Sequence, residues 1–337
     1  MVVLSRITLK KVVYLTFATF LLALSWTLFC GERRYDHTDG RKKSVQDKLP
    51  GWKALGDCQK RGLRFLYFVH TAPNNVKKRN WLRRTIGAPH IASLLRSTIV
   101  FFVGTVADQN ETRKIQEEAV REGDTVILNF GDSYQNLSNK FIGGAGWVLD
   151  NCLLDSDLMI VKMDDDVVVN VFALSAYASS DAGRLNGIHC LVFENVKPSR
   201  NRRYKWYVSE QTYSRDKYPD YCAGAAFMMR PDVLSTLCDA SDHVSPFWVD
   251  DVYVTGMLAE YANVSLVDIG PYLGFWGGSN ANRMTKTTLF IHTGPPNRLH
   301  KTSDKLWDRV IRRNRTVNSD FKWTVGFHTR KVTSFPP

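Results

Sequence analysis

Asp164-Asp165-Asp166 is the densest run of acid in an otherwise basic chain, and it closes the apolar stretch from Leu158 to Met163. Three adjacent carboxylates repel one another and cost stability unless something cationic neutralises them. Oxygen ligands of this kind suit a hard divalent ion, Mg2+ or Mn2+. Such an ion can hold a diphosphate and stabilise its departure as a Lewis acid. Alternate side chains on an extended backbone share a direction, so Asp164 and Asp166 can converge while Asp165 faces elsewhere. An isolated acidic triplet is more often a solvated loop, but its place at the end of an apolar strand in a basic chain favours the metal. A second acidic pair, Asp250-Asp251, precedes a helix-like segment. A carboxylate there can take a proton, or the pair can simply favour a helix N-terminus. Arg79 and Arg83 stand four apart on a helix-like stretch and share a face. They can contact phosphates bidentately, or form a solvated basic face with Trp81 and Leu82 turned inward.

These groups need a frame, and the hydrophobic pattern supplies one. Apolar runs at Arg64 to His70, Ser97 to Val103, Thr125 to Phe130 and Leu158 to Met163 read as buried parallel strands. Helix-like segments lie between them, at Asn75 to Arg84, Glu111 to Glu122 and Lys140 to Leu154. Strand–helix alternation predicts an α/β fold with a doubly wound, mostly parallel sheet flanked by helices. Ligands of such sheets sit outside the carboxyl ends of the strands, where the fourth run delivers Asp164-Asp165-Asp166. Beyond Asn170 the pattern predicts helices at Val171 to Ser179, from Pro231, and at Val252 to Tyr261. Strands are expected at Tyr204 to Val208 and Ala225 to Met229.

The N-terminus adds a membrane expectation. Arg6, Lys10 and Lys11 precede an uncharged apolar run from Val12 to Cys30, long enough to cross a bilayer and without a small-x-small cleavage site. The chain therefore reads as a cytoplasmic tail at 1–11, a signal anchor at 12–30, a polar stem at 31–61 and a lumenal domain at 62–337. Four Asn-x-Ser/Thr sequons, at Asn110, Asn136, Asn263 and Asn314, agree with a lumenal body. Beyond the span lie Cys58, Cys152, Cys190, Cys222 and Cys238, an odd number whose pairing is not readable. The net charge of +12 fits an anionic small substrate or a solvated basic surface. No nucleic-acid-binding motif accompanies it.

From Arg64 to His292 the chain resembles the β1,3-galactosyltransferase family of inverting glycosyltransferases, relatives of the Fringe and Brainiac enzymes. Arg79-Asn80-Trp81-Leu82-Arg83-Arg84-Thr85-Ile86-Gly87 is similar to the family's R-x-x-I-R-x-T-W-G, with Leu82 for Ile and Ile86 for Trp. Phe102-Val103-Gly104 resembles F-L-G, and Glu122-Gly123-Asp124 resembles Y-G-D. The stretch from Asn129 through Asp132-Ser133-Tyr134 to Lys140 resembles D-F-x-D-S-Y-x-N-L-T-x-K, with Asn129 for the first Asp. Asp164-Asp165-Asp166, Tyr218-Pro219-Asp220-Tyr221-Cys222-Ala223-Gly224 and Asp250-Asp251-Val252-Tyr253-Val254-Thr255-Gly256 complete the series, with Asp250 for Glu.

The resemblance implies a GT-A-like fold, a UDP-sugar donor, Mn2+ or another divalent cation, and inversion to a β1,3 linkage on a glycan acceptor of a glycoprotein or glycolipid. It assigns the catalytic base to Asp251; beside it, the reading of the residues themselves puts cofactor contacts at Arg79, Arg83, Asp164 and Asp165, and metal ligation at Asp164 and Asp166. It also implies a late histidine ligand. His292 ends the strand-like run Thr288 to Ile291 and is preferred to His300, which lies in a polar stretch. UDP-galactose is the expected donor, ahead of UDP-N-acetylglucosamine and UDP-N-acetylgalactosamine, in a single-pass type II Golgi membrane protein. The substitutions at Ile86, Asn129 and Asp250 leave an inactive glycan-binding or chaperone relative as an alternative. A surface glycoprotein explains the span and sequons but not the ordered motifs. Tyr218, Tyr221 and Trp248 can stack on sugars or pack in the core.

Overall fold

The computed structural model describes residues 51–275, 284–294, 299–313 and 321–328. The chain divides into Met1–Asp47 and Lys48–Pro337, and every described residue falls in the second unit. The expected tail, anchor and most of the expected stem lie outside the described residues, as does the sequon at Asn314. Among the described residues no helix is long and apolar enough to cross a membrane.

The four apolar runs form the expected strands: β1 (Phe65–His70), β2 (Ser97–Thr105), β3 (Thr125–Gly131) and β4 (Met159–Asp164). They lie side by side in parallel, in the order β4-β1-β2-β3. Helices α2 (Val76–Arg84), α3 (Pro89–Leu95), α4 (Gln109–Glu122) and α5 (Leu137–Asn151) occupy the connections. Helix α4 starts where Asp108 accepts from the Glu111 N–H and stops at Gly123, whose φ of 70° suits the left-handed C-cap.

Beyond β4 the sheet becomes mixed. Strand β9 (Ala226–Met229) lies antiparallel between β4 and β6 (Ile188–Cys190), and β10 (Leu266–Asp268) and β13 (Gly326–His328) extend the edge to eight strands. Both faces are covered. Leu66 and Phe68 of β1 pack with Phe141 and Val148 of α5, while Tyr67 and Val69 face Trp81 of α2 and Leu174 of α6 (Val171–Ser179). Two further two-residue strands, β7 (Val192–Phe193) and β8 (Tyr221–Cys222), pair with each other. A small second sheet, β11-β12-β5, joins Leu273–Phe275, Phe290–His292 and Val167–Val169.

Two expectations need correction. Tyr204 to Val208 is not a strand: Tyr207 makes one bridge to Ser199, and Arg200 takes the Val208 carbonyl that a ladder would use. The helix expected at Val252 to Tyr261 forms, with π geometry over Val252–Leu258 before it continues as Ala259–Tyr261. The stretch expected to be stem contains α1 (Trp52–Cys58), with Ala54 and Cys58 buried against the body, so folded structure begins before residue 62. The cause is covalent as well as apolar, because Cys58 bridges to Cys152 at the end of α5.

A second bridge, Cys190–Cys222, links β6 to β8, and Cys238 stands outside both. The bridges close loops of 94 and 32 residues. Loop-closure entropy alone gives each about 3.5–5 kcal/mol over the reduced chain. Cys190→Ala with Cys222→Ala is expected to lower the thermal midpoint measurably and to lower activity with it, because β8 leads directly into Gly224. A thermal scan of oxidised parent and variant checks this, with an unchanged midpoint as the contrary result.

Candidate active site

Strands β1 and β4 end at one level, with His70 opposite Asp164 in register. The chain turns at Asp165-Asp166 and returns as β5, which pairs antiparallel with β12 so that Val167 faces His292. Thr293 fixes the join: its N–H and hydroxyl both donate to the Asp166 carbonyl, at 3.0 and 2.8 Å. His292 Nε2 therefore lies 3.2 Å from Asp166 Oδ1. That oxygen is buried and has no aligned hydrogen-bond partner. Burial opposes ionisation of Asp166, but His292 and then Lys78 outweigh it and hold the carboxyl below its ordinary range. Burial likewise opposes the His292 cation, and Asp166 raises its pKa in spite of that.

Asp165 points to the other side, as strand alternation requires. It is 5% exposed and accepts from the Thr71 hydroxyl at 2.6 Å, Asn75 at 2.8 Å and Lys78 at 2.7 Å. Both its oxygens are taken, so the expected cofactor contact is corrected to an anchor holding the acidic turn on β1 and α2. Lys78 also reaches Asp166 Oδ2 at 3.1 Å. Asp164 keeps 40% of its side chain open, and its Oδ1 lies 3.1 Å from Lys162 Nζ. Desolvation first, then Asp166 and Asp250, push its carboxyl up to about 6 against the pull of Lys162.

Lys162 is buried inside β4 and donates to the Gly224 carbonyl at 2.6 Å. Gly224 in turn lies against Asp251: a Cβ there would come within 3.2 Å of the Asp251 Cβ and 3.4 Å of its Oδ2. Asp251 caps the π-helix by accepting the Val252 N–H at 2.9 Å. Desolvation, reinforced by Asp250 and Asp164, pushes its carboxyl up to about 7, although the Val252 N–H and Lys162 oppose the rise. A carboxyl raised towards neutral pH is better matched to proton transfer than an ordinary one.

The donor set fits a divalent cation at Asp166 and His292. A separation of 3.2 Å is that of adjacent corners around a small octahedral ion with bonds near ~2.1 Å. Asp164 is an electrostatic neighbour of both but is held towards Lys162 and does not close into a three-atom cluster with them. Among the described residues, the acid–histidine triad whose ligand atoms do lie within 4.8 Å of one another is Glu194, Asp220 and His328, on exposed and half-exposed positions.

Arg79 and Arg83 are not brought to this edge as phosphate ligands. Arg79 is fully buried, paired with Glu118 at 2.6 Å and donating to the Ala72 and Pro73 carbonyls. Arg83 binds Asp124 through two nitrogens and Glu118 through a third contact. Their five-donor forks fasten α2 to α4 and β3, which corrects the expected role. The spacing of four suggests a shared binding face because Glu118 and Asp124 lie about 40 residues away in sequence and are not visible as partners there. Lys78 and Lys162 escaped the sequence reading. A lone charge inside the apolar run from Leu158 to Met163 was the available signal for Lys162. Tyr218 and Tyr221 are buried in a cluster with Tyr213 and Phe247, so their fate is packing. His300 lies in the first turn of α8 (Leu299–Arg313).

A galactosyltransferase family profile matches residues 77–270 of this chain. β-1,3-Galactosyltransferase 5 of Pan paniscus is 27% identical over 222 residues, covering 66% of this chain and 73% of that one. Lactosylceramide 1,3-N-acetyl-β-D-glucosaminyltransferase of Xenopus tropicalis is 32% identical over 221 residues, covering 62% of this chain and 58% of that one. Among solved structures, the galactosyltransferase LgtC in complex with donor and acceptor sugar analogs overlaps 71% of this chain and 95% of that one, at 10% identity and a TM-score of 0.34.

The raised Asp251 carboxyl has a stability consequence. Its folded pKa of about 7 lies above the ordinary value of 3.8. Between those values the folded chain keeps a proton that the unfolded chain releases, so this group penalises folding progressively as pH rises through the window. Asp251→Asn removes the charge and can still accept the Val252 N–H. In chelator, its thermal midpoint is expected above the parent's at pH 8, with the gap shrinking towards pH 5. A constant gap across that range contradicts the buried-carboxylate assignment.

Proposed function

The chain belongs to the galactosyltransferase family and is a glycosyltransferase, and from that premise we propose that it is a GT-A-type, metal-dependent, inverting enzyme moving a hexose from a UDP-sugar to a glycan in a β1,3 linkage. The observation that carries this reading is geometric: Asp251 lies against Gly224, the Gly224 carbonyl accepts from Lys162, and Lys162 reaches Asp164 beside the Asp166–His292 pair. On this reading one edge of the sheet supplies both a proton acceptor and a site for a diphosphate-binding cation. Relatives named for 1,3-linked galactosyl and N-acetylglucosaminyl transfer agree. UDP-galactose is the first donor candidate, followed by UDP-N-acetylglucosamine and UDP-N-acetylgalactosamine. A type II anchor in the Golgi membrane belongs to the same reading.

Inversion needs one displacement. The acceptor hydroxyl attacks the anomeric carbon while the bond to the UDP oxygen breaks on the opposite face, and UDP leaves with the electron pair. The hydroxyl proton passes to the Asp251 carboxylate. Gly224 leaves room for that carboxylate, and the Val252 N–H orients it. Asp166 and His292 would hold the cation, with Asp164 joining them only on turning from Lys162, and the ion's chemistry would be Lewis-acid stabilisation of the departing diphosphate. Lys162 keeps Asp164 and the base region from repelling each other, since it draws on Asp164, Asp250 and Asp251 together.

Asp251→Asn is expected to lower turnover by roughly 10²–10⁴-fold, the usual worth of a general base, with UDP binding retained. If Asp250→Asn shows that loss and Asp251→Asn does not, the base is misassigned. His292→Ala is expected to raise the Mn2+ concentration for half-maximal activity, whereas His300→Ala leaves it in place. An unchanged titration for His292→Ala rejects the histidine as a ligand. Absence of UDP release from every UDP-sugar in Mn2+ would place the chain among inactive relatives.

A further inference from the structure

The connection from β7 to β8 carries a cluster that the transfer chemistry does not use. Arg202, Arg203, Tyr204, Lys205 and Trp206 are consecutive and all open to solvent, with Tyr204 at 62% and Trp206 at 53% exposure. The base of this loop is held firmly. Arg200 donates to the Val208 and Tyr213 carbonyls at 2.9 and 2.8 Å, and the Val208 N–H donates to the Ser199 carbonyl. Its tip is pinned to the catalytic domain at a second point, because Trp206 Nε1 donates to the Tyr134 hydroxyl at 2.7 Å. Tyr134 stands edge-on to Trp248, with centroids 6.4 Å apart, and Trp248 lies three residues before Asp251. An aromatic wall thus runs from the base outward to Trp206.

The chemistry of this wall is specific. Trp206 has its N–H satisfied and Lys205 Nζ 5.5 Å from its ring centroid, and the surface of the indole left open to solvent suits the apolar face of a sugar ring. Lys205 Nζ sits 3.7 Å from the Tyr134 centroid, and Arg202 lies 5.9 Å over the Tyr207 ring. Among the described residues no carboxylate lies within ion-pairing distance of Arg202, Arg203 or Lys205, whereas Arg215 on the same loop is paired with Glu260 at 2.8 Å. The inner end of the wall is acidic, with Asp250 and Asp251 beside Trp248 in sequence. An anion is repelled there and attracted at the Arg202–Lys205 tip.

We propose that Trp206 and Tyr134 form a stacking ledge for the acceptor glycan, and that Arg202, Arg203 and Lys205 select acceptors bearing an anionic group at a distance from the reacting hydroxyl. This deepens the transferase reading and rests on it for the direction of the chain of sugars. A sulfate and a carboxylate share the required chemistry.

The test uses the full chain in detergent, Mn2+ and the best UDP-sugar, with matched oligosaccharide acceptors in neutral, sulfated and sialylated forms. Parent protein is expected to show an acceptor KM about three- to tenfold lower for at least one anionic form, the size expected of a few solvent-exposed ion pairs. The preference should narrow as salt rises from about 50 to about 500 mM, because exposed pairs are screened. Arg202→Ala with Arg203→Ala should abolish it without moving the KM for the UDP-sugar. Trp206→Ala should raise the acceptor KM for neutral and anionic forms alike, and Trp206→Phe should restore most of it. Which anionic form is preferred tells sulfate from carboxylate. Equal or better use of the neutral acceptor by the parent, or survival of the preference in the double variant, overturns the proposal. Should no UDP-sugar turn over, the transferase reading fails, and calorimetric binding of the same oligosaccharides to parent and double variant still decides the ledge.

Discussion

Asp164, Asp165, Asp166, Asp250 and Asp251 are gathered at the carboxyl end of one sheet, and their mutual repulsion has to be balanced before the chain can fold there. Lysines from the body of the fold provide the balance. Lys78 reaches down from α2 to Asp165 and Asp166, and Lys162 rises inside β4 to Asp164 and the Gly224 carbonyl. The balance is incomplete by design of the geometry. Asp164 and Asp251 remain at about 6 and about 7, and Asp166 Oδ1 faces His292 without an aligned hydrogen bond. On the proposed reading, what the lysines leave unneutralised is what would take up a cation at one end and a proton at the other.

The architecture serves this edge. Parallel strands β1 and β4 deliver His70 and Asp164 to one level, and the short antiparallel pair β5–β12 folds back to bring His292 beside Asp166. Buried ion pairs elsewhere hold the platform still. Arg79 and Arg83 with Glu118 and Asp124 lock α2 against α4 and β3, and Lys140 joins Asp132 to the Thr71 carbonyl. Removing one partner of such a pair leaves an uncompensated buried charge, which is costly. Residues of this kind are therefore held in place by packing even where they touch no substrate.

Sequence pattern made the first half of the fold legible, because β1 to β4 are continuous apolar runs of strand length separated by helix-length segments. The acidic turn was legible for the same reason: Asp164-Asp165-Asp166 closes one of those runs, and alternation already set Asp165 apart. The second half was harder to read. Strands β5, β6, β10 and β13 have three residues each, too few for periodicity to register. Loop Tyr204 to Val208 has the composition of a strand but turns its Tyr204 carbonyl back to the Tyr207 N–H and gives its Val208 carbonyl to Arg200. The roles of Arg79 and Arg83 were illegible because a charged side chain looks the same in sequence whether it meets solvent, phosphate or a distant glutamate. Tyr134 and Trp206 are 72 residues apart, so the wall they build exists only in three dimensions.

On the proposed reading, the incompletely neutralised edge is a receptor for a cation and a diphosphate together. Thermal unfolding of the full chain at neutral pH, with Mn2+ alone, UDP alone and both, tests it most directly, since ligands that bind only the folded state raise its midpoint. The account predicts that the two together raise the midpoint by more than the sum of their separate effects, and that Asp166→Ala removes this excess. A midpoint that neither ligand moves, or an excess that persists in Asp166→Ala, would contradict it.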